Sequence, residues 1–134
     1  MSVYIDTSAF LAVLARDDMY HEQAKRVWFE LLDREERFVC SSYVLVESYA
    51  LIKKRLGWEA LQVFHEAVYP LLDVEWVDAA LHEGAANAVL ITKRKRLSLV
   101  DCTSFAVMRR LGIEIAFTFN PHFHEQGFAC LPSA

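Results

Sequence analysis

Long apolar runs are missing from this chain of 134 residues: no stretch approaches the ~18–20 uninterrupted apolar residues that a membrane span needs. The first residues lack a basic region followed by an apolar run and a small-residue cleavage site, so the sequence predicts neither a membrane protein nor a secreted one, and a cytoplasmic location. Cysteine is scarce and odd in number. Cys40, Cys102 and Cys130 are widely spaced, which argues against a disulfide frame or a zinc site and fits thiols in a reducing compartment. Positive charge in excess is also missing. With 14 Lys and Arg against 18 Asp and Glu, the net charge of −4 argues against a protein that coats nucleic acid indiscriminately.

What basic charge there is comes concentrated: Lys53, Lys54 and Arg55; then Lys93, Arg94, Lys95 and Arg96; then Arg109 and Arg110. A content of 54% apolar and 24% charged residues is the balance of a packed globular protein, at a length able to bury a substantial core. No linker, internal repeat or low-complexity tract interrupts the chain, so residues 1–134 read as one domain.

Val3-Tyr4-Ile5 is a short apolar run ending at Asp6 and Thr7-Ser8, which reads as a buried strand entering a turn and a helix. Tyr20, Ala24, Val27, Trp28 and Leu31 recur at helical spacing and predict an amphipathic helix from about residue 20 to 36. Phe38-Val39-Cys40 reads as a second strand, and Ser41-Ser42 cap a helix that runs to Leu56 and stops at Gly57. Another helix begins near Trp58 and ends before Pro70; Leu72, Val74 and Trp76 then alternate as a strand. Asp78 caps a helix through about Leu90, and Ser98 caps one that reaches Leu111 and ends at Gly112. Ile113, Ile115, Phe117 and Phe119 alternate again as a strand, while the three Trp and the Met residues sit at core-like spacing. Interleaved strands and helices predict a three-layer α/β/α sandwich around a central, mostly parallel twisted sheet. Ligands of such sheets gather outside the carboxyl ends of the strands, where Asp6 falls.

Three acids stand alone. Asp6 is the only acid among residues 1–16, Glu47 the only one from Phe38 to Trp58, and Asp101 the only one from Gly84 to Ile113. On a helix Glu47 shares a stripe with Tyr43, Val44 and Leu51, and Asp101 shares one with Phe105 and Met108. An ionised carboxylate on an inward stripe costs several kcal/mol unless a cation compensates. Hard oxygen ligands on three separate elements suit Mg²⁺ or Mn²⁺. Each acid also has a plain structural reading: Asp6 as a helix cap, Asp101 in the capping-box pattern Ser98-x-x-Asp101, Glu47 paired with a buried arginine. Ser8 and Ser98 read first as caps and second as groups that orient a water or a ligand. Lys93 to Arg96, ahead of Asp101, and Lys53, beyond Glu47, are placed to bind phosphates. Arg109 and Arg110 need only a helix C-terminus to explain them, and His65, His82, His122 and His124 show no zinc-like spacing.

Taken together these residues resemble a PIN-domain nuclease, of the kind found as the toxin of VapBC-type toxin–antitoxin pairs. The resemblance rests on Val3-Tyr4-Ile5-Asp6-Thr7-Ser8-Ala9-Phe10, on Val44-Leu45-Val46-Glu47-Ser48, on Leu97-Ser98-Leu99-Val100-Asp101-Cys102 with Ser104-Phe105-Ala106, and on Thr118-Phe119-Asn120-Pro121-His122-Phe123 with Gly127-Phe128. It implies a metal-dependent endoribonuclease using Asp6, Glu47 and Asp101, a small antitoxin partner and a homodimer. The choice of RNA over DNA comes from the resemblance alone. One position departs from it: Asn120 stands where many relatives carry an aspartate, so a carbonyl able to face a cation replaces a charge. That departure leaves a second reading open, a catalytically weak PIN fold that binds RNA or a protein.

Overall fold

The computed structural model describes residues 1–133. Five strands form one sheet: β1 (Ser2–Ile5), β2 (Arg37–Ser41), β3 (Leu72–Glu75), β4 (Ile115–Phe117) and β5 (Ala129–Leu131). Their spatial order is β3-β2-β1-β4-β5, and every pairing is parallel. Seven helices intervene: α1 (Thr7–Leu14), α2 (His21–Asp33), α3 (Ser42–Leu56), α4 (Trp58–Val63), α5 (Ala79–Thr92), α6 (Leu99–Leu111) and α7 (His122–Glu125). The expected α/β/α sandwich is therefore the fold, with the sheet wholly rather than mostly parallel.

The central strands β1 and β4 are almost wholly apolar because both their faces are covered, whereas the edge strand β3 carries Asp73 and Glu75. The chain steps from β1 to β2 to β3 in one direction, then returns to the other side of β1 for β4 and β5. Right-handed crossovers accordingly put α1–α4 on one face and α5–α7 on the other. Side-chain alternation agrees with this. The Phe38 ring stacks on Trp28 of α2 at 4.9 Å, while Tyr4, which points the other way, lies 6.3 Å from Phe123 of α7 and donates to Ser104 Oγ of α6 at 2.7 Å. The reversal between β1 and β4 opens a crevice at the carboxyl ends of those two strands.

Local chemistry ends the elements where it should. Ser41 Oγ accepts from Val44 N–H at the start of α3, and Gly57, at φ 95°, ends it. Asp78 accepts from Leu81 N–H, and α5 then runs to Thr92, two residues past the expected end. Helix α2 stops at Asp33, three residues short. Beyond α4 the backbone widens into one π turn (Phe64–Val68) and tightens into a 3-10 turn (Tyr69–Leu71), so the helical segment extends past Pro70 instead of stopping before it.

The last expected strand is shorter than its alternation. Ile113 N–H is taken by Met108 C=O at 2.8 Å in the Gly112 cap, and Phe119 N–H goes to Ser8 Oγ at 2.9 Å, which leaves only Ile115–Phe117 in the ladder. The core expectation for tryptophan and methionine is corrected too. Trp28 and Met108 are buried, but Trp58 and Trp76 are 70% and 66% exposed, and Met1 and Met19 lie at the surface. Trp76 follows the last residue of β3 to pair, Glu75, so its place in the alternation confers no burial.

Tyr4 ties the layers together at one atom. Its buried hydroxyl accepts from Ser41 N–H at 3.2 Å while donating to Ser104. Tyr4→Phe leaves both partners unsatisfied and is expected to cost about 1–3 kcal/mol. Urea unfolding measures this; a loss under about 0.5 kcal/mol would show that the hydroxyl does not hold α6 to the sheet.

Candidate active site

Asp6 follows β1 and starts α1, but it does not cap with its side chain. Its backbone C=O accepts from Ala9 N–H at 3.0 Å, whereas its carboxylate makes no cap hydrogen bond. Instead Asp6 Oδ2 accepts from Ser8 Oγ at 2.7 Å and from Thr118 Oγ1 at 3.0 Å. Thr118 directly follows β4, so the two strand ends at the switch point are joined through these oxygens. Asp6 is only 4% exposed. Burial pushes its carboxyl up to about 6; the Asp101 charge adds to the rise, and the Ser8 and Thr118 hydroxyls oppose it.

Asp101, 8% exposed, sits in the first turn of α6 and closes the capping box with Ser98 in both directions. The structural reading of its sequence pattern is thus correct, and it leaves an oxygen over. Oδ2 accepts from Ser98 N–H at 3.1 Å, while Oδ1 accepts from Asn120 Nδ2 at the same distance. A backbone N–H can only donate, and His122 N–H meets Asn120 Oδ1 at 3.0 Å. The Asn120 carbonyl is therefore engaged by the backbone, and its amino group is what faces the acid. Asn120 N–H also donates to Thr118 Oγ1 at 2.9 Å. Asp6 and Asp101 become the two ends of one chain of neutral donors: Asp6, Thr118, Asn120, Asp101.

Glu47 lies on α3. The fully buried face of that helix is Val44, Leu45, Ser48 and Ile52, so Glu47 shares a half-buried margin with Tyr43 and Leu51 rather than the inward stripe. Burial raises its pKa; the nearby Thr7 hydroxyl opposes the rise, the Asp101 charge adds to it, and the more distant Arg55 charge opposes it. The Asp101 charge thus acts on both other acids. Among the described residues none of the three forms a salt bridge, so the arginine partner considered for Glu47 is absent at bonding distance. Nor do three His, Cys, Asp or Glu side chains among the described residues cluster closely enough to hold an ion by themselves.

The basic residues divide. Lys93, Arg94, Lys95 and Arg96 are all exposed on the loop ahead of α6, but Arg94 pairs with Glu125 at 2.9 Å and approaches His122 Nδ1 at 3.4 Å. It anchors the loop to α7. Lys53 lies 5.7 Å from the Trp58 ring, and Arg109 hydrogen-bonds Gln126. Ser98 serves as a cap. Two residues that sequence reasoning gave no role now stand beside the acids: Thr118, which shares with Asp6 its position at a strand's carboxyl end, and Thr7, whose hydroxyl lies 3.1 Å from Ser48 Oγ. The strand-end rule could have marked Thr118; nothing in the sequence marks Thr7.

A five-stranded, wholly parallel sheet in this order, sandwiched between helices, is the architecture of a PIN domain. The chain matches that family over residues 3–129 and belongs to it. It is 33% identical over 127 residues to the 23S rRNA-specific endonuclease VapC20 of Mycobacterium tuberculosis, covering 94% of this chain and 95% of the relative. It is 21% identical over 124 residues to the VapC ribonuclease of Aquifex aeolicus, with 92% and 91% covered. The crystal structure of M. tuberculosis VapC20, described as a sarcin-ricin loop cleaving toxin, superposes with a TM-score of 0.82 at 32% identity over 96% of this chain and 97% of that one. FitAcB of Neisseria gonorrhoeae shares the fold, with a TM-score of 0.68 at 14% identity over 96% and 95% of the two chains.

The Asp6 environment gives a pH signature. Its folded pKa of about 6 lies above the ordinary 3.8, so the charged form destabilises the metal-free fold above about pH 6 and has no such effect below about pH 4. Asp6→Asn should make the metal-free chain more stable than wild type near pH 8, by at most roughly 3 kcal/mol, with the gap closing toward pH 4. Urea unfolding at both pH values checks this, and equal stabilities at high pH would refute the burial penalty.

Proposed function

We propose that the protein is a metal-dependent endoribonuclease that hydrolyses RNA phosphodiester bonds with Asp6, Glu47 and Asp101, and that it is the toxin of a toxin–antitoxin pair. The observation that carries the reading is electrostatic. The Asp101 charge acts on both Asp6 and Glu47, Asp6 and Asp101 are almost fully buried, and among the described residues no cationic side chain forms an ion pair with any of the three. Such a group is short of positive charge.

Mg²⁺ or Mn²⁺ fits that deficit. The donors are hard oxygens, and Mg²⁺ keeps several of its own waters, so the carboxylates need not close into a cage around it. Bound between Asp6, Asp101 and Glu47, the ion would polarise a phosphate oxygen and lower the pKa of a water. The chain supplies the rest. Ser8 and Thr118 hold the Asp6 carboxylate in one orientation, and Ser98 and Asn120 do the same for Asp101. Glu47, the most open of the three, is the side chain best placed to accept a proton from an attacking water. Lys93, Lys95, Arg96 and Lys53 offset the repulsion between the acids and a polyanion by holding flanking phosphates. Because Asn120 donates to Asp101 through its amino group, it acts here by positioning that acid.

The choice of RNA rests on the VapC relatives, which are named as an rRNA endonuclease and a ribonuclease. Those names favour catalysis over a silent binding module. Toxin likeness extends the proposal to a small antitoxin that covers the cleft, to a homodimer, and to work in the cytoplasm.

Incubation with ribosomal RNA tests the chemistry. Cleavage in Mg²⁺ or Mn²⁺ should stop with EDTA and fall at least about a hundredfold in Asp6→Asn, Glu47→Gln and Asp101→Asn. Mn²⁺ should raise the melting temperature of the wild type and leave that of Asp6→Asn unmoved. Cleavage that survives all three substitutions would sink the assignment. Lys95→Ala with Arg96→Ala should weaken RNA binding and flatten its salt dependence by about two phosphate contacts; an unchanged slope would remove the loop from the RNA path.

A further inference from the structure

One exposed aromatic side chain is rooted in the frame that holds the acids. Phe119 lies between Thr118 and Asn120, the residues that bridge Asp6 to Asp101, and its N–H donates to Ser8 Oγ, the hydroxyl that in turn donates to Asp6. Its ring is half-buried, and on it lies Tyr20, stacked at 4.7 Å with 14° between the planes. Tyr20 remains 40% exposed. With one face covered by Phe119, the open surface of Tyr20 is its other face and edge.

The loop that carries Tyr20 is tied down, so the ring is held in place. Tyr20 N–H donates to Asp18 Oδ1 at 2.7 Å, Asp18 N–H donates to Ala15 C=O at 3.0 Å, and His21 N–H donates to Asp18 C=O at 3.0 Å. The His21 ring nitrogen Nδ1 sits 2.9 Å from Ala12 C=O. Tyr20 makes no side-chain cap for α2. A preorganised aromatic pair with one free face is a platform for a further flat ring.

We propose that Tyr20, backed by Phe119, is a nucleobase-stacking subsite at the rim of the acidic cleft, taking an unpaired base of the RNA beside the phosphate that is cut. The proposal rests on the ribonuclease reading above. Charge decides which part of the strand goes where. Asp17 and Asp18, only partly offset by Arg16, leave the loop beside Tyr20 net negative, so this wall takes a base, while the phosphates run toward Lys93, Lys95 and Arg96 on the other side of the sheet. Stacking needs an unpaired base, so cleavage is directed to single-stranded or looped RNA.

The test uses the full chain carrying Asp6→Asn, a short single-stranded RNA with one 2-aminopurine, and the same RNA with an abasic site there. Adding Tyr20→Ala should weaken binding between about fivefold and a hundredfold and abolish the quenching of 2-aminopurine, whereas Tyr20→Trp should preserve both. The abasic RNA should bind wild-type Tyr20 and Tyr20→Ala alike. In the otherwise wild-type enzyme, Tyr20→Ala should raise KM and leave kcat nearly unchanged, and circular dichroism melting confirms that each variant is folded. Equal binding by Tyr20 and Tyr20→Ala, or equal loss in Tyr20→Ala and Tyr20→Trp, overturns the stacking subsite even if the wild type cuts RNA. Tyr20-dependent quenching in a protein that cuts no RNA upholds the subsite and overturns the nuclease reading alone.

Discussion

Two buried carboxylates, Asp6 and Asp101, joined through Thr118 and Asn120 and, among the described residues, paired with no cationic side chain, set the terms for everything around the switch point between β1 and β4. Burial penalises the ionised form of Asp6 and is the main reason its pKa is raised; the Asp101 charge adds to the rise. Neutral donors meet that strain. Ser8 and Thr118 bind one acid, Ser98 and Asn120 bind the other, and the Asn120 backbone N–H closes the circuit to Thr118. Hydroxyls and amides can orient carboxylates without cancelling their charge. A fold that arranges its site this way keeps it negative.

The sheet topology brings these groups together. Parallel strands point all their carboxyl ends one way, and the reversal of direction at β1 and β4 leaves a gap in the helix layers there. Asp6 and Thr118 are the first residues beyond those two strands; α3 and α6 begin at the same edge and bring Glu47 and Asp101. The surroundings are asymmetric. One flank carries the basic loop, fixed to α7 by Arg94 and Glu125, and the other carries the Tyr20–Phe119 stack.

Asn120 decides what Asp101 Oδ1 meets. An aspartate there would set a fourth charge against Asp101 Oδ1, at the distance where Asn120 now donates a hydrogen bond. The amide turns a repulsive neighbour into a supporting one, and its orientation is set by His122 N–H, which reserves the carbonyl. The site carries one negative charge fewer than it would with an aspartate, and Asp101 gains a donor.

Alternation and caps placed four of the five strands and the main helices, because a strand buried on both faces or a serine before a helix leaves a local mark. The isolation of three acids pointed to the candidate site. Sequence also misled where local pattern and long-range contact diverge: Ile113 and Phe119 continue the alternation of β4, yet their N–H groups are taken by Met108 and Ser8. Trp58 and Trp76 look like core residues and are exposed. β5 left only a weak trace in its three residues, Ala129–Leu131.

The amino-acid sequence by itself determined the fold class and which acids to watch, since periodicity and charge spacing are local properties of the chain. Only the tertiary structure decided how those acids are held, that Thr118 and Asn120 join them, that Arg94 is bound to Glu125, and that Tyr20 reaches Phe119. Those facts depend on contacts between residues as far as 112 positions apart, and the direction of a donor or the face of a ring exists only once the sheet has brought them together.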